Sequence, residues 1–260
     1  MSAARLDRLV VARGLARSRS QAQALILAGS VRVDGTVVRK PSAAVAADAV
    51  LRADDDPYVS RGAHKLLGAL QDLELTVSGR ALDAGSSTGG FTQVLLERGC
   101  APVYAVDVGT DQLAEPLRRD PRVVVQEQTN LRDLELRHVG GRPVDLTVAD
   151  VSFISLTLLM APFAAVTAAT GLMLLMVKPQ FEVGRERLGR GGVVRSAELH
   201  RTAVAAVAAA AERAGWSLHA VRPSRLPGPA GNREFFLLLR TDPPDHPVDL
   251  GVAVGDAPSP

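Results

Sequence analysis

From residue 81 onward the apolar positions fall into two alternating patterns. Short runs rich in Val, Leu and Ala predict strands at 81–84, 103–106, 122–125, 145–149, 172–177, 216–221 and 234–239. Between them, apolar residues three and four apart predict helices at about 61–73, 89–98, 111–118, 154–168 and 196–214. Strand and helix in alternation specify an α/β fold, a doubly wound, Rossmann-like domain of seven strands. A Pro/Gly loop and no helix joins the last two strands, so they are expected to pair antiparallel.

The first 42 residues follow another pattern. Leu6, Leu9 and Val10 have helical spacing within 5–12, and a second helix is expected over 18–27, with Ser18 or Ser20 as N-cap and Gly29 at its stop. Val31-Arg32-Val33-Asp34-Gly35-Thr36-Val37-Val38 then alternates on both sides of Asp-Gly, a hairpin signal. Residues 43–57 are alanine-rich and then acidic without periodicity, which puts a linker near 54–59 and the domains at 1–56 and 57–241. The tail from 242 to 260, rich in Pro, Asp and Gly, reads as disordered.

One stretch competes with this reading, because 151–177 contains no charged residue and is long enough to span a bilayer. Pro162, Gly171 and several Ser and Thr interrupt it, and it divides into a turn, an alanine-rich helix and a strand. Buried soluble structure is therefore expected, with no stable membrane association.

Composition sharpens the two-part picture. The chain has 260 residues, 47% apolar and 22% charged, which excludes a disordered or collagen-like protein. A single Cys and a polar, uncleaved-looking start suggest a reducing cytoplasm. The net charge of +2 is unevenly placed. The first 42 residues hold eight basic groups against Asp7 and Asp34, a net +6, which leaves −4 for the remainder. That asymmetry implies a nucleic-acid-binding head on a near-neutral body. Aromatic residues make up only 3% of the chain, so recognition of a nucleic acid by shape and phosphate is favoured over a base-stacking sheet. Arg5, Arg17, Arg19 and Lys40 are the candidate phosphate contacts, with Arg61 just past the linker. Arg185, Arg187 and Arg190, in a glycine-rich segment, would suit either a lid over a nucleic acid or a solvated loop.

The chemistry concentrates at strand ends. Asp83-Ala84-Gly85-Ser86-Ser87-Thr88-Gly89-Gly90-Phe91 lies where the first strand of the large domain meets a helix. Glycines there let the backbone approach a ligand closely, and Asp107 at the end of the next strand can bind ribose hydroxyls. The spacing is neither the dinucleotide fingerprint nor a P-loop, so a different nucleoside cofactor is implied. No Cys or His cluster suggests a metal.

Only three lysines occur among thirty basic residues, and two of them, Lys65 and Lys178, accompany the acids Asp150 and Glu234 at element ends facing one crevice. A lysine near another cation, or desolvated, loses its proton more readily than its ordinary pKa of about 10.4 implies, whereas arginine in practice does not. Two lysines and two carboxylates therefore suit proton removal from a poor nucleophile such as a sugar hydroxyl.

The glycine loop resembles that of class I S-adenosylmethionine-dependent methyltransferases, and the K-D-K-E set resembles the RNA 2′-O-ribose methyltransferases of the FtsJ type. The head is similar to the S4 RNA-binding module, a small α+β unit. With Ser60-Arg61-Gly62-Ala63-His64-Lys65-Leu66, Asp150-Val151-Ser152-Phe153-Ile154-Ser155-Leu156 and Lys178-Pro179-Gln180-Phe181-Glu182, the chain to about residue 240 is similar to the TlyA family. The resemblance implies S-adenosyl-L-methionine as cofactor, held by Asp83, Gly85, Ser86, Ser87, Thr88, Gly89, Gly90, Phe91, Asp107 and Asp150, and Lys65, Asp150, Lys178 and Glu234 as the catalytic set. It implies methylation of cytidine in ribosomal RNA, presented as RNA or as ribosomal subunits. A membrane-active haemolysin and a non-catalytic RNA-binding factor are the alternatives; no oligomeric state is assigned.

Overall fold

The computed structural model describes residues 3–16, 19–53 and 56–255. The chain forms two compact units, Met1–Arg61 and Gly62–Pro260. The boundary lies a few residues beyond the linker expected from composition.

The first unit contains β1 (Ala3–Arg5), α1 (Leu6–Ala12), α2 (Arg19–Ala28), β2 (Val31–Val33), β3 (Thr36–Val37), β4 (Ala44–Ala46) and β5 (Leu51–Ala53). The hairpin forms where Asp-Gly predicts it. Asp34 and Gly35 both have positive φ, +48° and +82°, as the two central positions of a type I′ turn require. Residues 43–53, read from sequence as unpatterned, instead supply two strands: β4 pairs with β1 and β5 with β2, both antiparallel. Each is three residues long, too short for alternation to show; burial of Val45 and Leu51 against Leu6, Val10, Ile26 and Val31 fixes them.

The second unit runs α3 (Gly62–Asp72), β6 (Gly79–Ala84), α4 (Gly90–Glu97), β7 (Cys100–Val106), α5 (Glu115–Arg118), β8 (Val123–Gln126), β9 (Val144–Ala149), α6 (Met160–Val166), β10 (Thr167–Val177), α7 (Pro179–Glu182), α8 (Ala197–Arg213), β11 (Ser217–Pro223), β12 (Phe235–Arg240) and α9 (Leu250–Gly255). Its seven strands form one sheet in the order β11-β12-β10-β9-β6-β7-β8. The five from β10 to β8 are parallel, and β12 lies antiparallel between β10 and β11. Strand order reverses at β6, which pairs with both β7 and β9, so the crevice of the switch point opens above the C-terminal ends of β6 and β9.

One apolar cluster joins Leu82, Val106, Met173, Leu175, Val177, Phe235 and Leu237 of the sheet to α6 and α8. On α4, Phe91 stacks against Phe236 of β12, with centroids 6.2 Å apart. The uncharged 151–177 stretch resolves into a 3-10 turn (Leu156–Leu158), α6 and β10. The helix expected over 154–168 is shorter than its pattern, because Thr167 already pairs with Val144 and β10 then shifts register before Leu172. An apolar run by itself does not distinguish buried helix from buried strand. Among the described residues no helix is long and apolar enough to cross a membrane. The helix expected at 111–118 shrinks to four residues, with Pro116 in its first turn.

The tail is a correction. Residues 242–255 are ordered onto the sheet side of the unit: Val254 is fully buried, and Val248, Leu250 and Ala253 pack on the main cluster. Arg233 Nη2 donates to the Val254 carbonyl at 3.1 Å. Pro, Asp and Gly dominate the local composition and hide the few apolar residues that anchor it. Residues 256–260 lie outside the described ones.

Candidate active site

The glycine loop joins β6 to α4. Gly85 (φ +82°) turns the chain, and its N–H and that of Ser86 both donate to the Val106 carbonyl, at 2.8 and 3.2 Å. A Cβ on Gly85 would lie 2.9 Å from the Asp150 carbonyl oxygen, so only glycine fits between the loop and the end of β9. Gly89 (φ +97°) starts α4 against Leu113 and Leu117, where a side chain would collide.

Nine of the ten expected cofactor residues divide into two layers, and the tenth, Asp150, is half-buried just past β9. Ser87 and Thr88 are exposed, and Gly85 and Asp107 are half-buried at the crevice. Ser86, Gly89, Gly90 and Phe91 are buried and shape the loop. Asp83 is fully buried beneath it and accepts a 2.6 Å hydrogen bond from Thr92 Oγ1 of α4. Desolvation is the main cause that pushes the Asp83 carboxyl up to about 7, with nearby Asp150 adding to it and Thr92 opposing. Asp83 and Phe91 brace the loop from inside. Sequence pattern shows that an acid precedes the glycines, but not which face of the strand it takes.

Asp107 spans the crevice edge. Its Oδ2 accepts from Ser87 N–H at 2.9 Å and its Oδ1 from Gly109 N–H at 2.7 Å, and each oxygen keeps a lone pair for a further donor. Val108 beside it is 75% exposed, an apolar surface suited to a planar base. Glu127, missed from sequence, fixes the following loop by accepting from the N–H groups of Asp111, Gln112 and Leu113 and from Arg118. The Arg118 guanidinium is the main reason its carboxyl is held down to about 2.

The four expected catalytic residues come together as two ion pairs. Asp150 follows β9 and Lys178 follows β10; Lys178 Nζ lies 2.6 Å from Asp150 Oδ1 and donates to Ser152 Oγ at 2.9 Å. This pair is partly open, its side chains 11% and 22% exposed. Lys65 of α3 meets Glu234, ahead of β12, at 2.5 Å, with side chains 6% and 0% exposed. Val177 pairs with Phe235 in the sheet, so Lys178 and Glu234 stand one register step further along at the same edge. Gly228 packs so closely on Glu234 that a Cβ there would approach its Oε1 to 2.6 Å.

Two features of this edge were not legible in the sequence. Phe153 has φ +64° and is 91% exposed beside Phe181, centroids 5.2 Å apart. Glu182 accepts from Ser155 Oγ and from the Leu156 N–H, and burial pushes its carboxyl above the ordinary range against both donors. The basic segment forms 3-10 turns at Arg185–Arg187 and Arg190–Gly192. Its far end is pinned by Asn232, which donates to the Gly192 carbonyl and accepts from the Val194 N–H.

In the head, Asp7 is fully buried and accepts from Arg5 (3.1 and 2.9 Å), Arg19 (3.0 Å) and Gln23 (3.0 Å). Arg5 is the main cause that holds its carboxyl far below the usual range. Arg5 and Arg19 keep side chains 42% and 50% exposed while oriented by this hub, and Lys40 is exposed. Arg61 is half-buried at the unit's end, and Arg17 lies outside the described residues.

Residues 58–241 match the model of the FtsJ-like methyltransferases, and residues 4–51 match the S4 domain. The chain is 52% identical to the 16S/23S rRNA (cytidine-2′-O)-methyltransferase TlyA of Mycobacterium tuberculosis, over 92% of its own length and 90% of the relative's. A solved structure from Streptococcus thermophilus that carries a hemolysin name superposes with a TM-score of 0.75 at 38% identity, covering 98% of this chain and 95% of that one. A methyltransferase structure from Mesorhizobium loti shares the fold at 16% identity and a TM-score of 0.50, over 68% and 97% of the two chains. The chain belongs to the FtsJ-like methyltransferase family, as a member with an S4 domain ahead of its methyltransferase unit.

Proposed function

We propose that the protein transfers a methyl group from S-adenosyl-L-methionine to the ribose 2′ oxygen of cytidine in ribosomal RNA of the small or large subunit. The observation that carries the reading is the Lys178–Asp150–Ser152 contact at the open edge of the switch-point crevice, next to the buried Lys65–Glu234 pair. The relative at 52% identity, named for that reaction, supports the substrate class.

The residues present fit the cofactor. The Gly85 cradle admits only backbone, Ser87 and Thr88 face outward, Asp107 has free lone pairs for ribose hydroxyls, and Val108 offers an apolar surface for the base. Bound there, S-adenosyl-L-methionine supplies an activated methyl group on a sulfonium, so no metal is required. Lys178, as its free amine, accepts the 2′ hydroxyl proton as that oxygen takes the methyl group and the donor sulfur keeps the electron pair of the broken bond; Asp150 and Ser152 hold the amine, and Lys65 with Glu234 supports the same edge. Phe153, exposed beside Phe181, offers a face on which an unstacked base rests. Positioning supplies much of the acceleration, because the donor is already reactive.

The head engages RNA through phosphates. Arg5 and Arg19, oriented by Asp7, and exposed Lys40 are its contacts, joined by Arg17 and Arg61. Membrane lysis by the uncharged segment is disfavoured, since insertion would extract β10, whose residues Met173–Val177 are fully buried in the middle of the sheet.

The test is incubation of the purified protein with methyl-labelled cofactor and ribosomal RNA, free and in each subunit, followed by nucleoside mass spectrometry. Label in 2′-O-methylcytidine is expected. Label in a base, or none on any substrate, refutes the proposal.

A further inference from the structure

The segments that follow β9 and β10 are tied to each other at successive points. Lys178 Nζ contacts Asp150 Oδ1 at 2.6 Å and Ser152 Oγ at 2.9 Å. Phe181 rests against Phe153. Glu182 closes the series: its Oε2 accepts from Ser155 Oγ at 2.5 Å and its Oε1 from the Leu156 N–H at 2.9 Å. Ser155 in turn N-caps the turn Leu156–Leu158, its hydroxyl accepting from Thr157 N–H. Both ends of the 150–156 loop are thus anchored, one by the sheet and one by Glu182.

The anchor matters because of what lies between. Phe153 holds a left-handed backbone, and Ser152 and Phe153 are exposed. A non-glycine residue persists in that conformation only where its surroundings over-determine it. Lys178 meets both Asp150 and Ser152 only while the loop keeps this path.

We infer that Glu182 is a positioning residue, a strap that acts through Ser155 and Leu156 to hold the loop in the conformation where Asp150 and Ser152 both reach Lys178. The inference rests on the reading of Lys178 as proton acceptor. Glu182 acts through its contacts to Ser155 and Leu156, and its effect is on the alignment of the amine.

Glu182→Ala and Glu182→Gln separate this from a general structural role. Glutamine can still accept from Leu156 N–H and donate to the Ser155 hydroxyl; alanine does neither. Single-turnover methyl transfer is measured from about pH 6 to 9, with cofactor affinity by calorimetry and thermal unfolding alongside. In Glu182→Ala the rate falls at least about tenfold, since small misplacements near reacting groups are costly, and the pH–rate limb moves as Lys178 loses its partners. Cofactor affinity stays within about threefold, because the strap lies outside the 85–91 loop. Glu182→Gln keeps the wild-type limb and most of the rate. Ser155→Ala, which removes one link and leaves the Leu156 contact, shows a smaller loss of the same kind and serves if Glu182→Ala does not fold.

Wild-type rate in Glu182→Ala or, should that variant not fold, in Ser155→Ala overturns the strap. So does equal loss in Glu182→Ala and Glu182→Gln, or a loss with an unmoved pH limb. An inactive wild-type protein refutes the proposed reaction instead, so the two failures are distinguishable.

Discussion

The two ion pairs of the site are expected to answer mutation in opposite ways, and Glu234→Gln is the sharper case. It removes a charge from a pair whose side chains are 6% and 0% exposed, at 2.5 Å separation, and leaves the Lys65 ammonium buried beside a neutral amide. Breaking a buried pair in this way typically costs about 3–5 kcal/mol. The expected loss of about 3–5 kcal/mol corresponds to a fall in melting temperature of about 6–20 °C for a unit of this size.

Trp216, the single tryptophan, is buried in the second unit, so its fluorescence in urea reports that unit alone. Replacing both partners with apolar residues, Lys65→Met with Glu234→Leu, should recover most of the stability while abolishing activity. A Glu234→Gln protein within about 1 kcal/mol of wild type would refute the reasoning.

Three further outcomes are expected. Lys178→Ala leaves stability within about 1 kcal/mol, since its pair is partly open, and retains cofactor affinity by calorimetry, yet transfers no methyl label; measurable turnover would remove Lys178 from the mechanism. Gly85→Ala places a side chain at φ +82° and 2.9 Å from the Asp150 carbonyl, so it should lose about 1–2 kcal/mol of stability and most of its cofactor affinity in the same two assays. Asp83 titrates near 7 when folded, well above an ordinary aspartate, so the folded state holds the extra proton between about pH 4 and 7 and stability falls as pH rises through that window. Asp83→Asn should flatten that decline, by up to about 4 kcal/mol, in urea midpoints taken across the window; an unchanged slope would place the titration elsewhere.

The sheet was largely legible because its strands are short apolar runs bounded by turn residues, and the glycine loop because φ near +82° at Gly85 admits few residues other than glycine. The site residues were legible as types: acids and lysines at strand ends that a doubly wound sheet turns toward one crevice. Which of them pair was not. Lys65 and Glu234 are 169 residues apart in sequence, and their contact depends on β12 inserting between β10 and β11, a choice made by burying Phe235 and Leu237 against α8 and β10. Asp83 and Phe91 lie within the recognised motif, yet the structure turns both toward the core, because alternation along β6 and the face of α4 decide direction.

What the sequence determined by itself, then, is whatever repeats within a few residues: helical and strand spacing, Asp34-Gly35 at its turn, the glycine loop, and the basic excess of the first 42 residues. Only the tertiary structure decided the three-residue strands at 44–46 and 51–53, the docking of 242–255, the Asp7 hub and the exposed Phe153. Each of these owes its conformation to surface buried or hydrogen bonds made far along the chain, and a local pattern carries no record of a partner it meets only after folding.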